Sequence, residues 1–493
     1  MKKKKVAVIG SGFAGLASAA ALASKGTEVC VYEKNETIGG RARAFTEGGF
    51  TFDMGPSWYW MPDVFERFFT RFGHKPSDFY TLKKLSPSFT IFFGKGEAID
   101  IPSEFEELCI LFERMEKGSA NKLRQFMKEA AYKYNLGVNK LVYKPGLSIL
   151  EFCDKDIVTG LFKLQVFSSF SKHVRRFFKD ERIISIMEFP VLFLGAKPQD
   201  TPALYSLMNY AGLQLGTWYP MGGFAKVTEA IKKVAEQAGA TFYTGHAIDN
   251  LTIERMKIAR VESSAGSFAA DAVVASADYH FVEQNLLPPQ FREYSDSYWN
   301  SRVLAPSALV FFLGVKKKLK KLNHHNLFFD TDLKVHSEEI YDRPAWPSQP
   351  LFYVCCPSKT DPSVAPEGCE NVFVLMPLAA GIADEEKLRE KYFKIIMDRI
   401  KAITGEELET ELLYKRSYCI KDFITDYNAY KGNAYGLANT LLQTAIFKPS
   451  IRSKKIENLF YAGQLTVPGP GVPPSLISGQ VAASQLLKYF NIN

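Results

Sequence analysis

A short unit near the start of the chain restricts the fold more than any other feature of the sequence. Residues 5–34 read KVAVIGSGFAGLASAAALASKGTEVCVYEK. The continuous apolar run Val6–Ile9 is typical of a strand that is buried on both faces. Three glycines in the spacing G-x-G-x-x-G follow directly, then an alanine-rich helical segment and a second strand that ends at Glu33. This order predicts a strand–helix–strand unit of a parallel sheet, and therefore an α/β fold.

Each glycine of this unit has a physical reason to be a glycine. Gly10 permits the tight turn, Gly12 lets a pyrophosphate approach the backbone, and Gly15 lets the helix and the sheet pack closely. The helix N terminus offers free N–H groups and a partial positive charge to phosphates. Glu33 is placed to accept hydrogen bonds from the adenosine ribose hydroxyls. The complete set predicts a dinucleotide site, and a purely structural turn is the alternative.

The residues after Glu33 indicate which kind of dinucleotide is bound. Gly40 is the second glycine of a pair, and Arg41 and Arg43 stand beside it. Exposed backbone N–H groups with neighbouring guanidinium groups suit a cofactor whose pyrophosphate must be held over a longer reach.

At this point the sequence resembles a known family. Residues 39–43 (GGRAR) and 52–57 (FDMGPS) are similar to the two-dinucleotide flavoproteins of the amine-oxidase-like superfamily. Within that group, GFTFDMGPS (49–57) is most similar to carotenoid desaturases of the bacterial phytoene desaturase type. Later segments, among them WYPMGGFAKVTEAI (218–231) and DAVVASADYH (271–280), agree in order along the chain. The resemblance implies FAD as the cofactor.

The resemblance also implies particular cofactor contacts. Gly55, Pro56 and Ser57 fall in the motif after the first arginines, and Ala247 falls where the backbone usually meets the adenine end.

The family ends with a glycine, small residues, a Pro-Gly-x-Gly elbow and a helix. This chain supplies Gly463 and then Pro-Gly-Pro-Gly, which ends at Gly471, but it carries Gln464 and Leu465 where the family prefers small residues. We expect a helix that begins near Ser475 to point its positive end at the pyrimidine side of the isoalloxazine ring. That charge would stabilise the reduced flavin by roughly 0.3–2 kcal/mol.

The motifs divide the chain into interleaved segments. The fold class that they predict is α/β: a Rossmann-like FAD-binding domain with an inserted α+β substrate-binding domain. The FAD-binding domain is expected to comprise residues 1–74, 221–288 and 425–493, and the substrate-binding, membrane-facing domain residues 75–220 and 289–424. Apolar stretches in the inserts, such as MEFPVLFLGA (187–196) and PSALVFFLGV (306–315), read as strand or short helix. Core packing is their default role, and the lining of a tunnel for an extended apolar substrate is the alternative.

The resemblance predicts the reaction. Introducing a double bond requires the removal of a hydride and a proton from neighbouring carbons, and no side chain accepts a hydride, so a flavin is needed. The expected substrate is a linear C40 carotenoid, with phytoene converted to lycopene as the leading prediction and quinone or oxygen as the electron acceptor. A hydroxycarotenoid 3,4-desaturase or a carotenoid isomerase is the close alternative. Glu151 is the candidate catalytic proton acceptor, because the family often has a carboxylate there.

A non-enzymatic prenyl-lipid carrier with the same fold is a more distant possibility. The elbow that ends at Gly471 argues against it, because a carrier has no need for the ring-facing half of a flavin site.

Composition and charge limit the partners. The 39 Phe and 23 Tyr favour a large apolar pocket or surface, and the net charge of +8 is compatible with an anionic membrane surface. No basic, aromatic stripe typical of a nucleic-acid module is present, so nucleic acid is not expected as a partner. Residues 156–180 mix Leu and Phe with Lys and Arg in a helical pattern. They predict either a helix that enters the headgroup layer or a cap helix with a solvated face.

Cysteine and histidine usage predicts neither disulfides nor a metal. The seven cysteines are scattered, which favours a reduced, cytoplasmic setting for a peripherally membrane-associated protein. His324 and His325 are neighbours without ligand spacing, and we expect them in a surface loop.

Overall fold

A five-stranded parallel sheet forms the centre of the first half of the fold. The computed structural model describes residues 3–152, 168–192 and 195–492. The strand order is β19-β13-β1-β2-β9, and every pairing is parallel. These strands are β1 (Lys5–Ile9), β2 (Glu28–Tyr32), β9 (Thr241–Tyr243), β13 (Ala272–Ala275) and β19 (Leu459–Tyr461). All five lie within the three segments that the sequence predicts for the flavin domain, so a single sheet joins both ends of the chain.

Three helices that pack around this sheet are α1 (Phe13–Ala23), α7 (Phe224–Gln237) and α12 (Val472–Tyr489). Every residue of α1 is buried, because α7 and α12 both pack against it. The contact with α12 is very close: a Cβ atom on Gly479 would lie 2.1 Å from the carbonyl oxygen of Ala14. Only a glycine permits this approach.

The second half of the fold is built on a seven-stranded mixed sheet in the order β18-β14-β17-β16-β15-β6-β7. Its strands are β6 (Phe89–Gly94), β7 (Glu97–Ile101), β14 (Ser307–Val315), β15 (His325–Phe328), β16 (Phe352–Cys355), β17 (Glu370–Leu378) and β18 (Leu412–Tyr418). All pairings are antiparallel except the parallel pair β15–β6. The sequence assigns these strands to the two inserted segments.

The two faces of this sheet have different neighbours. Side chains of a strand alternate between faces, and on β14 Leu309 and Phe311 lie in one hydrophobic cluster while Ala308 and Val310 lie in another. The first cluster includes α10 (Glu386–Thr404), whose Phe393 ring meets the Phe311 ring edge-on at 5.2 Å. Ala308 and Val310 line the large cavity described below. One face of the sheet is therefore closed by a helix and the other forms a cavity wall.

Smaller elements complete the fold. The remaining strands pair as β3 (Ala44–Glu47) with β4 (Phe50–Asp53), β5 (Leu82–Lys84) with β8 (Trp218–Pro220), and β10 (Ile248–Glu254) with β11 (Lys257–Ser263) and β12 (Gly266–Ala269). In the described ranges, the remaining α-helices of five residues or more are α2 (Pro62–Arg71), α3 (Phe105–Met115), α4 (Ser119–Leu136), α5 (Phe170–Phe177), α6 (Glu181–Leu192), α8 (Asp296–Asn300), α9 (Leu333–Tyr341) and α11 (Ile420–Tyr427).

Two of the segments predicted in the inserts lie only partly within the described residues. Of the amphipathic segment 156–180, residues 156–167 lie outside the described residues, and α5 begins at Phe170. Of the stretch 187–196, the residues up to 192 belong to α6, and residues 193–194 lie outside the described part. Within the described ranges, no helix combines the length and the apolarity needed to cross a bilayer.

We expect Gly479→Ala to lower the free energy of unfolding by about 1–3 kcal/mol, because the new methyl group must push α1 and α12 apart. The sign of the change in unfolding free energy tests the packing, since a Gly→Ala substitution inside a helix otherwise stabilises the protein by roughly 0.4–1 kcal/mol. Urea denaturation followed by circular dichroism measures the change. Ser484→Ala on the less buried side of α12 is the control and should change stability by less than about 0.5 kcal/mol. A stabilised Gly479→Ala variant would contradict the packing described.

Candidate active site

One continuous cavity of about 840 Å³ lies where the two halves of the fold meet. On one side it is lined by the loops that follow β1, β2 and β13, at the carboxyl ends of the parallel strands, where ligands of open α/β sheets bind. On the other side it is lined by β14, β17 and α9 of the second half. We call these the dinucleotide branch and the apolar branch.

The dinucleotide branch begins at the N terminus of α1. Gly10 and Gly12 line it, and Gly12 caps α1 without a side-chain acceptor for the first N–H groups. A Cβ atom on Gly12 would meet no atom within 4 Å, so the space beside this residue is open. An anionic group can therefore reach the helix N terminus, and the site fits a pyrophosphate.

Gly15 lies one turn further along α1 and does not line the cavity among the described residues. A Cβ atom on it would lie only 2.0 Å from the carbonyl oxygen of Gly10. Gly15 therefore allows the helix to pack closely against the turn that follows β1.

Glu33 lies at the end of β2 and is 5% exposed. One carboxylate oxygen accepts hydrogen bonds from the backbone N–H and the hydroxyl of Ser11, at 2.9 and 2.7 Å. The other accepts from the backbone and side-chain nitrogens of Asn35. The carboxylate lines the cavity beside Ala247 while it also ties the glycine turn to β2. These four hydrogen bonds fill the lone-pair sites of the carboxylate, so a ribose hydroxyl would take the place of a side-chain donor, either the Ser11 hydroxyl or the Asn35 amide.

Arg41 and Arg43 have different environments. Arg41 is half-buried in the cavity wall beside Gly40, and the Asp278 carboxylate has the largest effect among the charges that act on it. Burial raises the pKa of Asp278 to about 6 although the Arg41 guanidinium opposes the rise. The guanidinium of Arg43, in contrast, forms an ion pair with Asp426, and Arg43 is not among the described lining residues. The structure therefore brings Arg41, but not Arg43, to the cavity.

The motif after β4 lines the centre of the cavity. Gly55, Pro56 and Ser57 are all in the wall, and the hydroxyl of Tyr353 donates to Ser57 Oγ at 2.9 Å. Since Tyr353 belongs to β16, this hydrogen bond joins the motif to the substrate-domain sheet.

The chain end supplies the opposite wall. Gly463 and Gly471 line the cavity, and their φ angles of 119° and 109° are in the region that favours glycine. The helix α12 begins at Val472, with Gly471 as its N-cap, and not near Ser475 as the sequence suggested. The two prolines that follow Val472 lie in the first turn, where their missing N–H groups cost nothing. The N termini of α1 and α12 thus face one cavity from two directions.

The apolar branch is walled almost entirely by hydrocarbon. Its lining side chains include Phe189, Leu327, Phe329, Leu375 and Ile340. The imidazole of His336 also lies there, but Nε2 donates to the carbonyl of Pro377 and Nδ1 accepts from the N–H of Leu351. Burial lowers the pKa of His336 to about 4, so this ring is neutral at physiological pH. The branch suits an extended apolar ligand.

The structure places Glu151 elsewhere. Its carboxylate accepts hydrogen bonds from the backbone N–H groups of Gly146, Leu147 and Ser148, at 2.9 to 3.2 Å. It closes this exposed turn and is not among the described residues that line the cavity. These contacts indicate a structural role, so the sequence-based choice of a proton acceptor is not supported by the position of this side chain.

The expectation for His324 and His325 was wrong, because both rings are buried. Nδ1 of His324 contacts the Thr360 hydroxyl at 2.7 Å, and Nδ1 of His325 contacts the Tyr353 hydroxyl at 2.6 Å. With Cys355, they place three possible ligand atoms within 4.8 Å of one another. Spacing along the sequence could not reveal this cluster, since Cys355 reaches His325 only through the register of β15 and β16. Burial lowers the pKa of both histidines.

Sequence reasoning also missed two carboxylates, Asp278, which is buried, and Asp53, which is half-buried. Asp278 lines the cavity next to Arg41. Asp53 accepts hydrogen bonds from the N–H groups of Phe224 and Ala225 at the start of α7, at 2.8 and 3.2 Å. A carboxylate at a helix N terminus is a familiar favourable pair. Both acids stand inside motifs that the sequence analysis quotes, so they could have been singled out as candidates. Their roles could not be predicted, because the groups that they contact are distant in the sequence.

The cavity joins a dinucleotide-type site to an apolar branch, an arrangement expected of a flavin-dependent oxidoreductase. The chain belongs to the flavin-containing amine oxidoreductase family, whose model matches residues 13–487, and its cofactor is FAD. Within this family it is a carotenoid desaturase by similarity, an oxidoreductase that acts on CH–CH groups. It is 39% identical, over 98% of both chains, to the carotenoid 3,4-desaturase of Haloarcula japonica. It is 30% identical, over 99% of this chain and 94% of the relative, to the zeta-carotene-forming phytoene desaturase of Myxococcus xanthus.

Solved structures agree at the level of the fold. An oxidoreductase from Methanosarcina mazei superposes with a TM-score of 0.62 at 18% identity, over 98% of this chain and all of the other. The cyclohexylamine oxidase of Brevibacterium oxydans superposes with a TM-score of 0.59 at 15% identity, over 99% of this chain and all of the other. The predicted family and the predicted fold class are thereby confirmed.

We expect Gly12→Val to abolish FAD binding while the protein stays folded. The new side chain meets no protein atom at its Cβ position and the residue has an ordinary φ of −70°, so the variant has no reason to be strained. It occupies the space beside the helix N terminus that the pyrophosphate needs. Absorbance near 450 nm after gel filtration measures the bound flavin, and thermal unfolding without added FAD measures the fold. Gly12→Ala should retain an intermediate amount. Full flavin content in Gly12→Val would contradict the placement.

Proposed function

We propose that this protein is an FAD-dependent desaturase of a linear C40 carotenoid, and that it introduces a double bond at the 3,4 position. The observation that carries the proposal is the single cavity in which the dinucleotide branch opens into a hydrocarbon-lined branch. The position of the new double bond is supported by the 39% identity to the carotenoid 3,4-desaturase over nearly the whole of both chains.

The dinucleotide branch has the groups that FAD needs. Gly12 and the N terminus of α1 would bind the pyrophosphate, Glu33 the ribose, and Ala247 would contact the adenine end. Gly471 and the N terminus of α12 would face the isoalloxazine ring. When bound, FAD supplies the acceptor for the hydride that leaves one carbon of the substrate.

The side chains of the apolar branch hold the polyene and exclude water. Among the described residues, no carboxylate stands on β14–β17 or α9 where these line the cavity. The proton from the neighbouring carbon is therefore not taken up by a carboxylate of this wall. This suits a reaction path in which positive charge develops on the polyene, because only a weak base is then required. The two electrons would pass on to a quinone or to oxygen.

Conversion of phytoene to lycopene is the second candidate. It is favoured by the 30% identity to the zeta-carotene-forming phytoene desaturase of Myxococcus xanthus. The two reactions differ in the bonds that are oxidised, since phytoene desaturation proceeds along the middle of the chain and 3,4-desaturation occurs near its end.

We expect purified protein with FAD to desaturate an acyclic carotenoid near its end. Liposomes loaded with either lycopene or phytoene are incubated with the protein and a quinone, and the extracted pigments are separated and identified by absorption and mass spectrometry. A loss of two hydrogens from lycopene with a red shift supports 3,4-desaturation. Coloured products from phytoene support the second candidate instead. No change in either substrate, with flavin bound, would refute the desaturase proposal.

We further propose that the protein takes its substrate from a bilayer surface through an exposed apolar patch. The patch consists of two loops with the side chains Leu147, Ile149, Leu150, Leu441, Leu442 and Phe447, which are 37–76% exposed. The loops are neighbours, since a Cβ atom on Gly146 would lie 3.5 Å from the carbonyl oxygen of Ala445. So many large apolar side chains on one surface are unusual for a protein surrounded only by water.

We expect Leu150→Glu combined with Leu442→Glu to reduce binding to anionic liposomes at least tenfold, because two charges replace apolar contact in the headgroup layer. Sedimentation with phosphatidylglycerol vesicles measures the bound fraction. Leu413→Glu is the matched control, since Leu413 is 57% exposed on the edge strand β18. If the control reduces binding as much as the double variant does, charge alone explains the effect and the patch is not the docking surface.

A further inference from the structure

Lys448 carries a buried amine that has no partner among the described residues. The residue is 5% exposed, and its Nζ makes no hydrogen bond and no ion pair with any residue that the structure describes. It follows the short helical turn 445–447 and lies against the elbow that leads into α12. Burial of an unpaired ammonium group is costly, so the position of this side chain needs an explanation beyond stability.

A second unpaired polar atom lies beside it. Asn439 is 3% exposed, and its Oδ1 also lacks a hydrogen-bond partner. Lys448 Nζ and Asn439 Oδ1 both lie 3.2 Å from the point where a Cβ atom on Gly469 would stand. Gly469 has a φ of 134°, so the absence of a side chain there both allows the backbone conformation and leaves room for the amine.

The amine is close to the cavity that holds the flavin. Gly469 is followed by Pro470 and Gly471, and both of these line the cavity. Because consecutive Cα atoms are about 3.8 Å apart, Nζ lies less than about 9 Å from the Cα of Pro470. Charges that interact through a protein interior are screened far less than charges in water. A charge on Lys448 therefore acts on the same part of the cavity as the N terminus of α12.

The protonation of this amine is easily shifted. Burial lowers the pKa of Lys448 to about 7, and desolvation is the sole cause. The polar groups that face it are the neutral amide of Asn439 and the backbone of the elbow, and within the described part of the chain no ionisable side chain contributes to the shift. A negative charge in the cavity would raise the pKa of Lys448, because the ammonium form would then have a counter-charge.

We propose that Lys448 takes up a proton when the flavin is reduced, and so couples proton uptake to the two-electron step. The inference rests on the proposed position of the isoalloxazine ring against the elbow. The reaction balances: the substrate CH–CH pair loses a hydride to the flavin and a proton to the medium, Lys448 gains one proton, and reduced flavin carries one negative charge beside the ammonium. On reoxidation by a quinone, the proton on Lys448 is released.

Spectroelectrochemical titration of the FAD-loaded protein between pH 6 and 9 tests the proposal. The change of midpoint potential with pH counts the protons taken up for every two electrons. Between the pKa of Lys448 in the oxidised protein and its higher pKa in the reduced protein, we expect the wild type to take up as much as one proton more than Lys448→Met. Lys448→Arg keeps its charge at every pH, so it should also show the lower proton count. Lys454→Met, at an exposed lysine on the same segment, should behave as the wild type.

The outcomes separate a coupling role from a structural one. If Lys448→Met binds FAD and shows the wild-type proton count, the proposal is overturned, even if thermal unfolding shows that the variant is less stable. If Lys448→Met does not fold, the proton counts of Lys448→Arg and the wild type are compared instead. Equal counts then overturn the proposal. If the wild type itself retains no FAD, the proposed flavin site fails first, and this failure is visible before any potential is measured.

Discussion

The approach of α1 to α12 is the constraint on which the rest of the structure depends. The backbone of α12 at Gly479 lies against the carbonyl of Ala14, at a distance that excludes any side chain. This contact joins the α-helix near the start of the chain to the one near its end, and residues at the N terminus of each line the cavity. Since each helix N terminus carries about half a positive charge, the contact also brings two positive poles to the wall of the cavity in which we propose that the dinucleotide binds. Packing between small residues thus determines the electrostatics of the site.

A second constraint joins the cofactor motif to the core. Asp53 binds the first N–H groups of α7, and Gly223 must lack a side chain, because a Cβ atom there would lie 2.5 Å from the Asp53 carboxylate. Asp53 stands two residues before Gly55, so α7 holds the start of the segment that lines the centre of the cavity. The far end of that segment is held by Tyr353 of the other sheet through Ser57. The motif is therefore fixed from both halves of the fold.

Local chemistry and long-range chemistry differ in how well the sequence predicts them. The glycine turn, the buried strands and the elbow could be predicted, because each depends on residues a few positions apart. Two of the side-chain roles expected from the sequence are not supported by the contacts, one because of a distant partner and one because of a local turn. Arg43 was expected at the cofactor, but Asp426, 383 positions away, binds its guanidinium. Glu151 has the expected residue type, but its acceptor atoms are used by the turn beside it. The sequence alone does not show which groups the side chains of Arg43 and Glu151 bind.

The same argument explains why the substrate is the least predictable feature. The wall of the apolar branch is formed by alternate residues of β14, such as Ala308 and Val310, and the intervening residues pack on α10. Both sets are apolar, so the sequence of the strand does not show which set faces the substrate. Only the pairing of β14 with β17 and β18 fixes the two faces. A ligand without polar groups gives specificity through shape alone, and the shape of this branch depends on side-chain volumes at positions that only the fold can identify.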